Sequence, residues 1–245
     1  MGTTLRWLLA LSFFTNAWAE APHPTPHNFE CSEIIRSWVD PSPLEKAIQT
    51  AFLARNSAIL PGALDHVRSA IRASVSEIRE TRKQGAHYKT TPLRDEYVLK
   101  DQQKGVLYYS KSEISKKRIQ VRDGKIYDTQ GVLVDSSHGF IGTVIYAMDD
   151  TGEIYITADH EIDKIHHSSL LAGKPAAAAG TMKIQNGVIT ELTPSSGHYT
   201  PKNSIFMQVI ERLDSQGANL THTKIYLQND PKTMTSLEDP LRKGR

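Results

Sequence analysis

Asn186-Gly187 stands between two stretches of strand composition, Met182-Lys183-Ile184 and Val188-Ile189-Thr190. A dipeptide of this kind tolerates positive φ at both central positions of a tight turn and closes a two-residue hairpin. Asp123-Gly124, between residues 118–122 and 125–128, repeats the arrangement, as does Asp150-Thr151-Gly152 between residues 143–148 and 153–157. Strands joined by such short turns can only run antiparallel. Further strands are expected at residues 106–109, 132–134 and 224–227. The turns recur at irregular spacing, which argues against a solenoid or propeller.

Helical periodicity occupies the two ends of this strand-rich region. Ser42-Pro43 is a start signal, and Leu44, Ile48, Ala51, Phe52 and Ile59 recur at three- and four-residue spacing. Pro61-Gly62 breaks the run. A second amphipathic stretch carries Leu64, Val67, Ile71, Val75 and Ile78 on one face, with Arg68, Arg72, Arg79, Arg82 and Lys83 mostly on the other. A third, residues 202–216, places Ile205, Phe206, Val209, Ile210 and Leu213 together between Pro201 and Gly217. The reading is an α+β fold: a mostly antiparallel sheet built from hairpins, an N-terminal helical hairpin, and one C-terminal helix packed on the sheet.

The N-terminus reads as a secretory signal over residues 1–19. Arg6 supplies the positive region, residues 7–14 the apolar core, and Ala17-Trp18-Ala19 the cleavage pattern. The expected product is exported, periplasmic or extracellular, and begins near Glu20. A proline-rich linker (residues 20–41), the helical hairpin (42–84), the α+β domain (105–228) and a flexible polar tail (229–245) follow. Cys31 is the single cysteine, so no internal disulfide framework exists. A formal charge of +2 marks neither nucleic acid nor an anionic membrane as the main partner, and no stretch reaches the roughly 20 apolar residues of a membrane span.

Chemistry concentrates in two clusters, His166-His167-Ser168-Ser169 and Ser196-Gly197-His198-Tyr199. The strand–turn–strand between them is expected to bring the clusters into one polar site. If residues 166–169 are extended, His166 and Ser168 share one face and His167 and Ser169 the other. The candidate acid–base groups are His167, His198 and Tyr199. The candidate ligand contacts are His166, Ser168, Ser169, Gly180, Ser196 and Gly197. Residues 176–179, all alanine, read as strand, whose small side chains admit close approach. Asp159, Glu161 and Asp163 are available to orient a histidine. No G-x-S-x-G elbow, phosphate-binding glycine loop or zinc spacing occurs, so no metal and no bound cofactor is expected.

The run IHHSSLLAGKPAAAAG, then NGVI, then SGHYTP resembles the C-terminal region of the plant IQM proteins, IQ-motif calmodulin-binding proteins, and of related bacterial and fungal proteins without an assigned reaction. There the pattern is approximately F-H-H-S-S-F-L-A-G-G, a small-residue run ending in A-G, G-x-L, and S-G-H-Y-R-P. The likeness extends over roughly residues 105–227. Two departures stand out. Leu53 occupies the basic position after Ile48-Gln49, so calmodulin is not supported as a partner, and Thr200 replaces the arginine of S-G-H-Y-R-P.

Three function classes fit. The first is an exported module whose His/Ser/Tyr pocket binds a ligand or partner. The second is a toxin- or effector-like transferase acting on a nucleotide such as NAD (ADP-ribosyltransferase-like), with Glu153 or Glu191 completing catalysis. The third is a purely structural role for both clusters. Whether the chain turns anything over is left open.

Overall fold

The computed structural model describes residues 42–54, 60–230 and 233–243. The expected signal, the linker and Cys31 lie outside the described residues. Within residues 41–245, helix α1 (Pro43–Ala54) and helix α2 (Leu60–Lys83) form the expected hairpin. Ser42 opens α1, its Oγ accepting from Glu45 N at 3.3 Å. Pro61 falls inside the first turn of α2 rather than breaking it, because a first-turn N–H has no intrahelical partner to lose.

Next come α3 (Asp95–Lys104), α4 (Lys111–Lys116), β1 (Gln120–Arg122), β2 (Lys125–Tyr127), β3 (Val144–Met148), β4 (Ile154–Thr157) and the helical turn α5 (His167–Leu170). The chain continues through β5 (Ala178–Gln185), β6 (Val188–Thr193), α6 (Asn203–Ser215), β7 (Lys224–Asp230) and β8 (Thr233–Glu238). Strands β1 and β2 make a two-stranded ribbon turning on Asp123 and Gly124, both at positive φ. The other six form one sheet in the order β4-β3-β5-β6-β7-β8. Every pairing in it is antiparallel except β6–β7, whose crossover contains α6. The architecture is α+β with a mostly antiparallel sheet.

Both faces of the sheet are covered. On one, Val144, Tyr146 and Met148 of β3 join Met182 and Ile184 of β5 beneath α1, α2 and α6, through Ile48, Ile71, Phe206 and Val209. On the other, Ile145, Ala147 and Ala179 meet Leu93, Tyr109, Leu170, Leu171 and Tyr199. Strand β3 therefore alternates between two cores and is buried at all its positions. Each large apolar side chain buried this way contributes about 1.5–3 kcal/mol. The helical hairpin shares one core with the sheet.

Some expected elements differ. Residues 106–109 form no strand: Leu107 N donates to Lys164 O at 2.8 Å and Tyr109 N to Ser169 O at 3.2 Å, so this segment braces the loops of the second face. Residues 132–134 contribute one isolated bridge, Tyr127 to Leu133. The tail expected to be free instead carries β8, with Lys224 opposite Glu238 and Leu227 opposite Thr235. It supplies the main-chain partners that the edge of β7 would otherwise lack. The basic residues of α2 are engaged: Arg68 Nη2 donates to Glu238 O at 3.0 Å, and Arg79 pairs with Asp214 at 2.5 Å.

Gly180 sets how closely the middle strands approach. A Cβ there would lie 1.8 Å from the Thr193 carbonyl oxygen of β6 and 3.0 Å from Tyr146 Cε1. Neither neighbour is the loose end of a flexible side chain. Gly180→Ala is expected to lower stability by about 3 kcal/mol or more, read as a shifted urea midpoint. Gly197→Ala, whose Cβ would meet nothing nearer than Tyr97 Oη at 3.8 Å, should leave the midpoint unchanged.

Candidate functional site

The second face of the sheet carries the site. Helix α3 spaces Tyr97, Lys100, Asp101 and Lys104 at three- and four-residue intervals, which makes them one face of the helix. All four line a cavity of about 350 Å³, opposite His160, His166, His167 and His198. The helix turns polar side chains towards the cavity, while Leu99 on its outer side is 62 % exposed.

Asp101 is the centre of this arrangement. Its carboxylate is buried and accepts from His198 Nε2 at 2.9 Å, Ser168 Oγ at 2.7 Å and Tyr108 Oη at 3.0 Å. Burial, with the Asp101 bond second, pushes the Tyr108 phenol up to about 12. The His198 ring lies between Tyr97, 4.2 Å away centroid to centroid, and His166 at 4.4 Å. His160 lies edge-on to His166 at 5.9 Å. The two sequence clusters therefore meet, through His166 and His198.

The meeting differs in detail from the expectation. Residues 166–169 are not extended. His166 N donates to Ser169 Oγ at 3.0 Å and starts a helical turn, which separates the ring of His166 from that of His167. His167 is buried and its Nε2 donates to the Gly180 carbonyl at 2.9 Å. Burial holds its imidazole down at about 3. His160 and His166 are pushed below the ordinary imidazole value, first by burial and then by the charge of His198.

Several expected site residues take other roles. Tyr199 is fully buried and its phenol donates to Lys174 O at 2.7 Å, so it is a packing residue and not an acid–base group of the cavity. Ser168 and Ser169 are spent on Asp101 and on the backbone of His166. Ser196 Oγ accepts from Tyr199 N at 3.4 Å and shapes the loop. Gly180 serves through its carbonyl and its missing side chain; Gly197, in contrast, lines the cavity. Glu153 pairs with Arg118 at 3.2 Å and Glu191 with Lys183 at 3.7 Å, and neither lines the cavity. Asp163 lines it but pairs with Lys104 at 2.6 Å, while Asp159 and Glu161 pair with Lys117 and Lys164. The carboxylate that orients a histidine is Asp101. Thr200 is exposed and stands outside the cavity wall.

Among the described residues no three His, Cys, Asp or Glu side chains are placed to hold a metal ion. The chemistry available is that of preorganised imidazoles, two lysines and a tyrosine ring. In the unfolded chain His167 would bind a proton near pH 6.5, whereas in the fold it resists one until about pH 3. The unfolded state therefore holds more protons across that window, and stability falls as pH drops from about 6.5 towards 3, by at most about 1.4 kcal/mol per pH unit from this group. His167→Gln, which keeps a donor for Gly180 O, is expected to flatten that part of a Tm-against-pH curve.

The model for the IQ motif-containing protein middle domain matches residues 113–206. From Arabidopsis thaliana, IQ domain-containing protein IQM5 is 30 % identical over 130 residues, covering 53 % of this chain and 26 % of that protein. IQM2 is 29 % identical, over 52 % of this chain and 21 % of its own length, and IQM1 27 % identical, over 50 % and 25 %. The chain thus spans about a quarter of the length of these relatives. No solved structure matches it. These matches correct one expectation: Leu53 alone does not set calmodulin aside, because the relatives are IQ domain-containing proteins. Over residues 113–206, this chain is similar to the IQM middle domain.

Proposed function

We propose that this domain is a binding module whose histidine-lined cavity takes a small polar ligand, in a protein that works after export. One observation carries the reading: the Asp101–His198 pair, clamped between Tyr97 and His166, is preorganised at a cavity wall. A ring held on one edge by a buried carboxylate and on both faces by other rings loses little freedom when a ligand arrives. At about 350 Å³ the hollow is at the small end of the range for ligand pockets, enough for one ring and its substituents. The export setting rests on the Arg6 to Ala19 pattern alone.

The test is thermal melting of the full chain against a panel of sugars, sugar phosphates, nucleosides, NAD and amino acids. One compound class is expected to raise Tm by several degrees. Gly197→Leu, whose side chain would enter the cavity beside Tyr97, should abolish the rise while leaving the unliganded Tm nearly unchanged. A flat response across the panel overturns the reading. NAD consumption lost in His198→Ala would replace it with the transferase.

Calmodulin is a second, separate proposal, favoured by the IQ domains in the relatives' names. Retention of the full chain on immobilised calmodulin, with and without calcium, is the expected result; no retention in either condition removes it.

A further inference from the structure

The cavity makes two demands of a ligand. A carbonyl oxygen can only accept, so His167 carries its proton on Nε2, against Gly180 O. Asp101 likewise receives the Nε2 proton of His198. His167 is held neutral by burial, so its remaining nitrogen, Nδ1, is a bare acceptor. Among the described residues neither Nδ1 has a hydrogen-bond partner, and Gln216 Oε1 is the one sealed side-chain polar atom without one. Both Nδ1 atoms are therefore open to the cavity their rings line.

The α3 wall also carries cations. Lys100 and Lys104 project from the same face of α3. Lys104 is held by Asp163, whereas Lys100 lies 5.0 Å from the centroid of the Tyr97 ring and is paired with no carboxylate among the described residues. No arginine lines the cavity, so the paired fork that suits a flat carboxylate is missing. Lysines act as point charges and suit a phosphate, whose oxygens point several ways.

Resting on the binding reading above, we propose that the ligand is a small phosphorylated polyol, one hydroxyl donating to Nδ1 of His167, another bonded to Nδ1 of His198, and its phosphate lying against Lys100 and Lys104. Hydroxyl groups are the fitting partners, since each can donate to a bare imidazole nitrogen or accept from a protonated one.

Isothermal titration of the full chain with ribose 5-phosphate, glucose 6-phosphate, ribose, glucose and inorganic phosphate tests this. At least one phosphorylated sugar should bind tenfold or more tighter than its free sugar and than phosphate. Lys100→Gln, an exposed change that leaves the core untouched, should weaken the sugar phosphate fivefold or more. Phosphate alone binding as tightly, or an unchanged affinity in Lys100→Gln, overturns the proposal. So does the failure of both sugar phosphates to bind; if another panel compound still raises Tm, the cavity remains a binding site and only the ligand class is wrong.

Discussion

A carboxylate taken out of water persists only where other donors replace the water it lost. Asp101 meets that condition with three: the imidazole of His198, the hydroxyl of Ser168 and the phenol of Tyr108. They come from loops separated by dozens of residues, so one buried charge fastens α3, α5 and the segment after β6 at a single point. Hydrogen bonds to a charged acceptor are roughly twice as strong as neutral ones. They add to the apolar contacts of Leu93 and Tyr97 at the start of helix α3, whose Leu99 faces outwards.

The sheet reaches the same place through Gly180. Its missing Cβ lets β6 come close, and its carbonyl takes the His167 proton. Packing and site are thus joined in one residue of β5. Ala176 and Ala179, both 1 % exposed, leave room for the second-face layer to pack close on β3 and β5.

Much of this was legible in the sequence. Asn186-Gly187 and Asp123-Gly124 announced their hairpins because few residues accept positive φ. The meeting of His166 with His198 followed from the hairpin between them. What escaped was α3: its inward residues, Tyr97, Asp101 and Lys104, are polar, and hydrophobic periodicity searches for the reverse. A buried acid is recognisable only through partners that sequence distance conceals. Tyr199 misled for the opposite reason, since a phenol beside a histidine has the composition of a site while its ring has the bulk of a core residue. Leu53 was too narrow a ground for setting calmodulin aside, since the relatives that match this chain are IQ domain-containing proteins.

The segment between β6 and α6, residues 194–202, bears on how such a site can change. It presents His198 to the cavity, and it is also the first leg of the crossover that lays β7 parallel to β6. Its minimum length is therefore dictated by the distance between a strand end and a helix start. Substitution can alter what the hollow recognises, and an added residue can bulge outwards at small cost, but a deletion would draw β6 and α6 together and pull His198 from the cavity wall. Diversification in this architecture is freest by exchange of side chains along a track that cannot be shortened.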